Sequence, residues 1–148
     1  MQLNTKHFGV IEVDEKEILY FPSGIPGFEN VRKFVLLGRQ EADSPFFWLQ
    51  CVDKPDLAFV VTDPFYIKED YYVDVDDEEI AEIEINDPEN VLTLAIVTIP
   101  EDIRFMTVNL KAPVLINMKN NMGKQVIMKN DTFPVRYYIL TGGSEPPR

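Results

Sequence analysis

Carboxylates are the most concentrated reactive groups in this sequence of 148 residues. Residues 69–89 contain 11 of the 25 acidic side chains and no Lys or Arg, whereas the other 14 acidic residues are matched by the 14 basic ones. The whole formal net charge of −11 can therefore be assigned to this acidic segment. Such a block of like charge either keeps a protein soluble as a solvated face or attracts a basic partner.

The order of carboxylates at residues 74–79 superficially resembles a Ca²⁺-binding loop. A loop of that kind requires a glycine at its sharp turn and a bidentate Glu at its last position. The glycine is missing here, and Ile85 occupies the last position. Zn²⁺ lacks a ligand set, because the chain has one His and one Cys. We therefore predict no metal site and no cofactor, and an acidic ligand-binding or Ca²⁺-binding domain is kept as an alternative.

Nucleophilic catalysis has few candidate residues. His7 is the only histidine, and Cys51, the only cysteine, lies in the apolar run FFWLQCV, where a buried structural thiol is expected. Ser23 and Ser44 lack the surroundings of a nucleophile elbow, and the sequence has neither a P-loop nor a dinucleotide fingerprint. The lysines are too sparse to neutralise nucleic-acid phosphates. These features predict a binding protein that is not an enzyme and does not contact nucleic acid directly.

The N-terminal residues lack the basic start and continuous apolar segment of a secretion signal, and every apolar run is far shorter than a membrane span. A single cysteine also excludes an internal disulfide. We therefore expect a cytoplasmic protein without a membrane partner.

The elements that must position the carboxylates are short and mostly β-prone. Strands are predicted at residues 8–13 and 17–21, which would form an opening hairpin, and at residues 33–37, 46–52, 58–62, 71–75, 91–99, 104–110, 114–117, 125–128 and 133–140. Residues 21–28 form a Pro/Gly-rich corner, and residues 119–124 a hairpin turn. This pattern predicts a mostly β fold, a small and strongly bent antiparallel β-barrel-like domain with one short helix. One domain is expected over residues 1–140, followed by a flexible tail at residues 141–148.

The helix is predicted within the acidic segment, at residues 76–83. Asp76 with Glu79 three residues later is a variant of the N-cap signature, and Ile80 and Ile83 follow at helical spacing. Such a helix would turn both isoleucines inward and its carboxylates outward. A longer strand is the alternative, because Ile83 and Ile85 alternate with polar residues.

Five motifs resemble the family of the flagellar assembly factor FliW in their order and spacing. They are FPSGIPGFE at residues 21–29, FWLQCVD at 47–53, DPFYIKEDYYVDV at 63–75, VNLKAPVLIN at 108–117 and QVIM at 125–128. The resemblance implies a bacterial cytoplasmic protein that binds flagellin and CsrA in alternation. CsrA is the dimeric RNA-binding repressor of flagellin mRNA, so its capture would relieve repression once flagellin is exported. A dedicated flagellin chaperone without a translational role is the nearest alternative.

The acidic segment then has a candidate role as a surface for CsrA. The carboxylates assigned to it are Glu69, Asp70, Asp74, Asp76, Asp77, Glu78, Glu79 and Glu82. A flagellin-binding surface is predicted around the C-terminal hairpin, at Met118, Asn121, Met122 and Lys124. The free protein is expected to be a monomer.

Overall fold

The computed structural model describes residues 1–39 and 44–148, within which eleven strands and two short α-helices are present. The strands are β1 (Gln2–Asn4), β2 (Val10–Glu12), β3 (Leu19–Tyr20), β4 (Lys33–Leu37), β5 (Phe46–Cys51), β6 (Ala58–Thr62), β7 (Val91–Thr98), β8 (Thr107–Val108), β9 (Val114–Asn117), β10 (Met122–Gln125) and β11 (Tyr137–Tyr138). The helices are α1 (Pro64–Ile67) and α2 (Asp77–Ala81), with 3-10 turns at Glu15–Glu17, Pro88–Asn90, Ile103–Phe105 and Ile139–Thr141.

Nine of these strands form one sheet in the order β11-β8-β7-β6-β5-β4-β3-β10-β9. β7 also pairs with β9, so the sheet closes as a ring. The ladders are antiparallel except for the contact between β3 and β10, where Met122 faces Tyr20 in a parallel arrangement. β1 and β2 form a separate two-stranded sheet. The mostly β fold predicted from the sequence is confirmed, with the strands bent into a ring. Within the described ranges, two short helices are present where one was predicted, because Asp63 caps a turn that begins at Pro64.

Two apolar clusters form most of the core. The first lies among β4, β5, β7 and β9, where Phe34, Leu49 and Ile116 are fully buried. The second packs Tyr71 and Phe133 against β7, β8 and neighbouring loops. Two smaller clusters support the β1–β2 sheet and the acidic segment. The acidic segment is therefore attached to the ring by its apolar side chains.

The Pro/Gly-rich corner at residues 21–28 combines an irregular backbone with buried side chains. Phe21 is fully buried and Ile25 nearly so, while Gly24 adopts φ +65°. A Cβ atom at Gly24 would lie 2.7 Å from backbone atoms of Glu29, so glycine is required for the close approach of this turn. This corner places the Ser23 hydroxyl 2.5 Å from Glu82 Oε1, at the C-terminal end of α2.

The predicted opening hairpin between residues 8–13 and 17–21 is wrong. β2 pairs with β1, and β3 pairs with β4. The physical reason is a capping box at Asp14, whose carboxylate accepts from Lys16 N–H at 2.9 Å. The cap starts a 3-10 turn, which sends the chain away from β2 instead of folding it back.

Several other strands are confirmed, three of them with the predicted bounds and two that are one residue shorter. Those predicted at residues 33–37, 46–52, 58–62, 91–99 and 114–117 correspond to β4, β5, β6, β7 and β9. The strand predicted at residues 125–128 is displaced: β10 runs over Met122–Gln125, so residues 126–128 lie outside it. The hairpin turn predicted at residues 119–124 ends already at Asn121, which has φ 59°. The strands at residues 104–110 and 133–140 shorten to β8 and β11, since each is interrupted by a 3-10 turn.

The last residues fold back on the sheet. Gly143 N–H donates to Tyr138 O at 2.9 Å, and the Arg148 guanidinium lies 4.8 Å from the ring centroid of Phe105. The single domain and flexible tail assigned to residues 1–140 and 141–148 stay predictions. None of the helices in the described ranges has the length and apolar character that crossing a bilayer requires.

Candidate functional site

Helix α2 is the element that presents the acidic side chains. Asp76 occupies its N-cap position, and its carbonyl accepts from Glu79 N–H at 3.0 Å. The helix is confirmed, but the Asp76 side chain makes no capping hydrogen bond, so that part of the prediction is wrong. Ile83 is fully buried and Ile80 packs beside it against β9. The two isoleucines therefore fix the helix on the ring and turn its carboxylates outward, as predicted.

The alternative of a longer strand through residues 82–86 is wrong. Residues 82–84 form a turn, and Glu84 adopts φ 57° in the left-handed region. The chain reverses here because Asn117 and Asn120 on the neighbouring hairpin donate side-chain hydrogen bonds to Ile83 O, at 2.9 and 3.2 Å. These contacts fix the C-terminal end of α2 to the β9–β10 hairpin.

The predicted CsrA-facing carboxylates differ in exposure and in pairing. Glu69, Asp70, Asp76, Asp77, Glu78 and Glu82 are exposed, and Asp74 and Glu79 are half-buried. Lysines outside the acidic segment pair with four of them. Lys68 contacts Asp70 at 2.8 Å, Lys129 contacts Asp76 at 3.7 Å, and Lys124 contacts Glu82 at 3.3 Å and Glu79 at 3.5 Å. Within the described ranges, Glu69, Asp77 and Glu78 make no ion pair.

Glu82 links the Pro/Gly-rich corner to α2. The Ser23 hydroxyl donates to Glu82 Oε1 at 2.5 Å, and Lys124 approaches the other carboxylate oxygen. The Ser23 hydrogen bond, followed by Lys124, holds the pKa of Glu82 below its ordinary value, although partial burial acts in the opposite direction. A hydrogen bond from Lys68 likewise lowers the pKa of Asp70. Both carboxylates therefore stay ionised at neutral pH.

The four residues predicted for flagellin do not form one patch. Lys124 lies beside Glu79 and Glu82, and Met122 packs with the apolar cluster beneath α2, so both adjoin the acidic segment. Met118 and Asn121 instead line a cavity away from the acidic segment, together with Phe8. Met118 is 45% exposed there. Asn121 also has a structural role, because its side chain donates to Lys16 O at 2.7 Å.

The strand predicted at residues 71–75 is wrong, because these residues join no ladder. Tyr71 is instead anchored in the core, where its hydroxyl donates to Leu110 O at 2.8 Å and burial raises the pKa of its phenol well above the ordinary value. Between this segment and the rest of the described chain, Asp74 makes the one backbone contact of strand type, because its carbonyl accepts from Lys129 N–H at 2.8 Å. The segment thus lies on the ring without belonging to its sheet.

An apolar groove of about 530 Å³ lies beside this segment and was not predicted from the sequence. We call it the α2 groove. Its lining is apolar or aromatic except for Asp74 and Thr93, and consists of Phe65, Tyr71, Tyr72, Val73, Asp74, Val75, Ile80, Ile85, Pro88, Val91, Thr93 and Leu115. The signals in the sequence were the aromatic and β-branched residues 71–75, which had been assigned to a strand. The structure therefore places an apolar surface directly beside the acidic one.

The one histidine and the one cysteine, which are the weak catalytic candidates, lie outside the acidic segment. His7 stacks on Trp48 with 3.9 Å between ring centroids, and Cys51 is fully buried, which confirms its predicted structural position. In residues 1–39 and 44–148, no group of three or more His, Cys, Asp or Glu side chains is arranged to hold a metal ion.

Comparison with known proteins gives a consistent result over nearly the whole chain. A family model described as FliW protein matches residues 2–139. The flagellar assembly factor FliW of Caldanaerobacter subterraneus subsp. tengcongensis is 47% identical over 140 residues, which cover 95% of this chain and 93% of that protein. The flagellar assembly factor FliW of Thermoanaerobacter pseudethanolicus is 46% identical, with the same coverage of both chains.

The fold agrees with an experimental structure as well. A crystal structure of the flagellar assembly factor FliW superimposes with a TM-score of 0.85 at 37% sequence identity. The match covers 94% of this chain and 96% of the other. The similarity of fold therefore extends over nearly the whole chain.

Proposed function

Because this chain belongs to the FliW family of flagellar assembly factors, we propose that it binds flagellin and, when flagellin is exported, captures the repressor CsrA. Capture of CsrA allows flagellin mRNA to be translated. The chain then acts in the cytoplasm as a non-enzymatic sensor of the flagellin level. Neither partner requires a metal or cofactor in this mechanism.

The observation that carries the proposal is the exposed charge of Asp77 and Glu78 on α2, together with exposed Glu69; none of the three makes an ion pair within the described ranges. A protein that binds RNA carries Lys and Arg to neutralise phosphates, so it is attracted to such a face. Each exposed ion pair contributes only about 0–1 kcal/mol, and the summed field of the face therefore matters more than any one contact. That field accelerates encounter with a basic protein and repels RNA phosphates from the same surface.

Alternation between the partners is supported by the position of Lys124 and Met122. Lys124 contacts Glu79 and Glu82, and Met122 packs beneath α2. On our proposal, flagellin contacts the hairpin at these residues and covers part of the acidic face. The two proteins consequently cannot bind at the same time.

A charge-reversal variant tests the proposal. The triple change of Glu69, Asp77 and Glu78 to Lys alters the net charge by +6, and a control triple change of Asp53, Asp56 and Glu101 to Lys alters it equally on exposed carboxylates elsewhere. We expect the first variant to lose at least tenfold in CsrA affinity and most of the salt dependence of association, measured by calorimetry and stopped flow at several salt concentrations. The control should lose much less. Equal affinities for the two variants would contradict the proposal.

Two further measurements separate the alternatives. A dedicated flagellin chaperone would bind flagellin but leave CsrA bound to flagellin mRNA, which a filter-binding assay with purified components reports. A Ca²⁺-binding domain would be stabilised by its ion, with a rise in melting temperature at micromolar Ca²⁺, because a ligand that binds the folded state stabilises it. We expect no such rise.

A further inference from the structure

We propose that the α2 groove takes a short extended segment of a protein partner, in which apolar side chains alternate with Lys or Arg. The inference rests on the proposed function, because it assigns a binding mode to the same acidic face. It adds that the partner completes a strand pair with residues 71–75 and does not bind through charge alone.

The backbone of residues 71–75 has unused strand-pairing groups. Asp74 directs both its N–H and its C=O toward residues 128 and 129, with distances of 3.3 Å to Met128 Sδ and 2.8 Å to Lys129 N. In strand geometry, the backbone groups of the neighbouring residues point to the opposite side. The N–H and C=O groups of Val73 and Val75 make no backbone hydrogen bond within the described ranges. They therefore offer an open edge of the kind to which an added strand pairs.

The sequence of this segment supports the same conclusion. Residues 71–75 combine aromatic and β-branched residues, which are typical of strands. They nevertheless remain outside every ladder of the described structure. A strand-forming sequence that is held on the ring by Tyr71 and Asp74, but is unpaired along its other edge, is suited to pairing with a second chain.

The walls of the groove supply apolar and aromatic contacts. Ile80, Ile85 and Leu115 line it, and Phe65 and Tyr72 remain 44% and 47% exposed at its surface. Exposed aromatic side chains next to an apolar depression are typical anchors of protein interfaces. The partner segment must therefore present apolar side chains on one of its faces.

The charges around the groove determine the other face. Asp74 is the one charged residue in its lining, and Asp87 directly precedes the lining residue Pro88. Residues 69–89 contain no base, so side chains that emerge from the groove enter a negative field. Lys or Arg are complementary to that field, whereas nucleic acid is repelled by it. The occupant is thus a basic peptide segment.

The test uses overlapping 12-residue blocked peptides that together cover CsrA and flagellin of the same bacterium. Amide chemical shifts of the full chain are recorded with each peptide. We expect at least one peptide with apolar and basic residues in alternation to shift the Val73 and Val75 amides and protect them from hydrogen exchange. N-methylation of its central peptide bonds should weaken binding at least tenfold. Tyr72→Ala should also weaken it, whereas Tyr66→Ala, a change at an exposed tyrosine outside the groove, should not.

The inference is overturned if no peptide shifts the two amides, if the N-methylated peptide binds equally well, or if the bound peptide lacks Lys and Arg. Full-length CsrA provides the separate test of the proposed function. If CsrA binds wild type and Tyr72→Ala equally, CsrA does not occupy the groove and the proposed function stands; the groove inference then fails unless a flagellin peptide shifts the two amides. If CsrA does not bind at all, the CsrA part of the proposed function fails, while the peptide shifts still decide the groove.

Discussion

Loss of one buried hydroxyl should destabilise the protein measurably. Tyr71 is 4% exposed, and its hydroxyl donates to the carbonyl of Leu110, which is itself fully buried. Tyr71→Phe keeps the ring and its contacts with Phe65 and Phe133 but leaves that carbonyl without the donor. A buried polar group that loses its partner costs about 1–3 kcal/mol. We therefore expect the free energy of unfolding to fall by about 2 kcal/mol.

Tyr72→Phe is the matched control, because Tyr72 is 47% exposed and its hydroxyl makes no hydrogen bond within the described ranges. Its effect should remain within about 0.5 kcal/mol, as for most surface changes. Urea denaturation followed by circular dichroism measures both variants. Since a change of 1 kcal/mol shifts the melting temperature of a domain of this size by about 2–4 °C, the Tyr71 variant should also melt about 4–8 °C lower. Equal loss in the two variants would refute the assigned role of the Tyr71 hydroxyl.

The same pair of variants should differ in alkaline solution. Burial raises the pKa of Tyr71 in the folded state above its unfolded value of about 10. The protonated form is favoured by folding, so this contribution is fully present below pH 10 and is lost as the pH rises through the folded pKa. Wild type should therefore lose stability above pH 10 more steeply than Tyr71→Phe, whereas Tyr72→Phe should follow wild type.

Two further predictions concern the acidic segment. Ser23→Ala removes the hydrogen bond that lowers the pKa of Glu82, so an NMR titration should show that pKa moving up toward its ordinary value. The control, Ser44→Ala, should leave the pKa of Glu82 unchanged. An unmoved pKa in Ser23→Ala would contradict the assigned role of Ser23. The lowered pKa of Glu82 in the folded state stabilises the fold at pH values above the pKa of Glu82 in the unfolded state, about 4. This stabilisation is lost as the pH falls through the folded pKa, so Ser23→Ala should lose less stability than wild type below about pH 4. Glu84→Gly relieves a left-handed backbone conformation and should raise the free energy of unfolding by about 0.5 kcal/mol. Asn121→Gly should lower the free energy of unfolding although Asn121 has nearly the same φ as Glu84, because the hydrogen bond from Asn121 to Lys16 O is lost. Urea denaturation measures both variants, and a more stable Asn121→Gly than Glu84→Gly would refute this explanation.

The long apolar strands could be predicted from the sequence because their side chains decide their structure locally. β5, β6, β7 and β9 are rich in β-branched or aromatic residues and lie between turn-forming residues. The pairing of the first strands could not be predicted in the same way. A single carboxylate, Asp14, starts a 3-10 turn there, and its effect on chain direction depends on contacts that the hydrophobic pattern does not contain.

Residues 71–75 show the limit of strand propensity. Their composition is typical of a strand, but a ladder also needs a neighbouring edge, and β6, β8 and β9 already pair with β7. The acidic character of the candidate site was evident from the sequence. Its pairing with Lys124 and Lys129 was not, because those side chains come from a hairpin and loop that are distant in the chain. The groove was missed for the same reason, since its floor is made by β7 and β9.

The parallel contact between β3 and β10 has a consequence for the order in which the chain can fold. Tyr20 and Met122 meet there across roughly 100 residues of chain, a closure whose entropic cost must be met before the contact forms. A nascent chain exposes the acidic segment well before residues 122–129, which supply Lys124, Lys129 and the backbone partner of Asp74. Until those residues have left the ribosome, the acidic segment lacks its support. The contacts that support the acidic segment therefore come from residues 122–129, late in the chain.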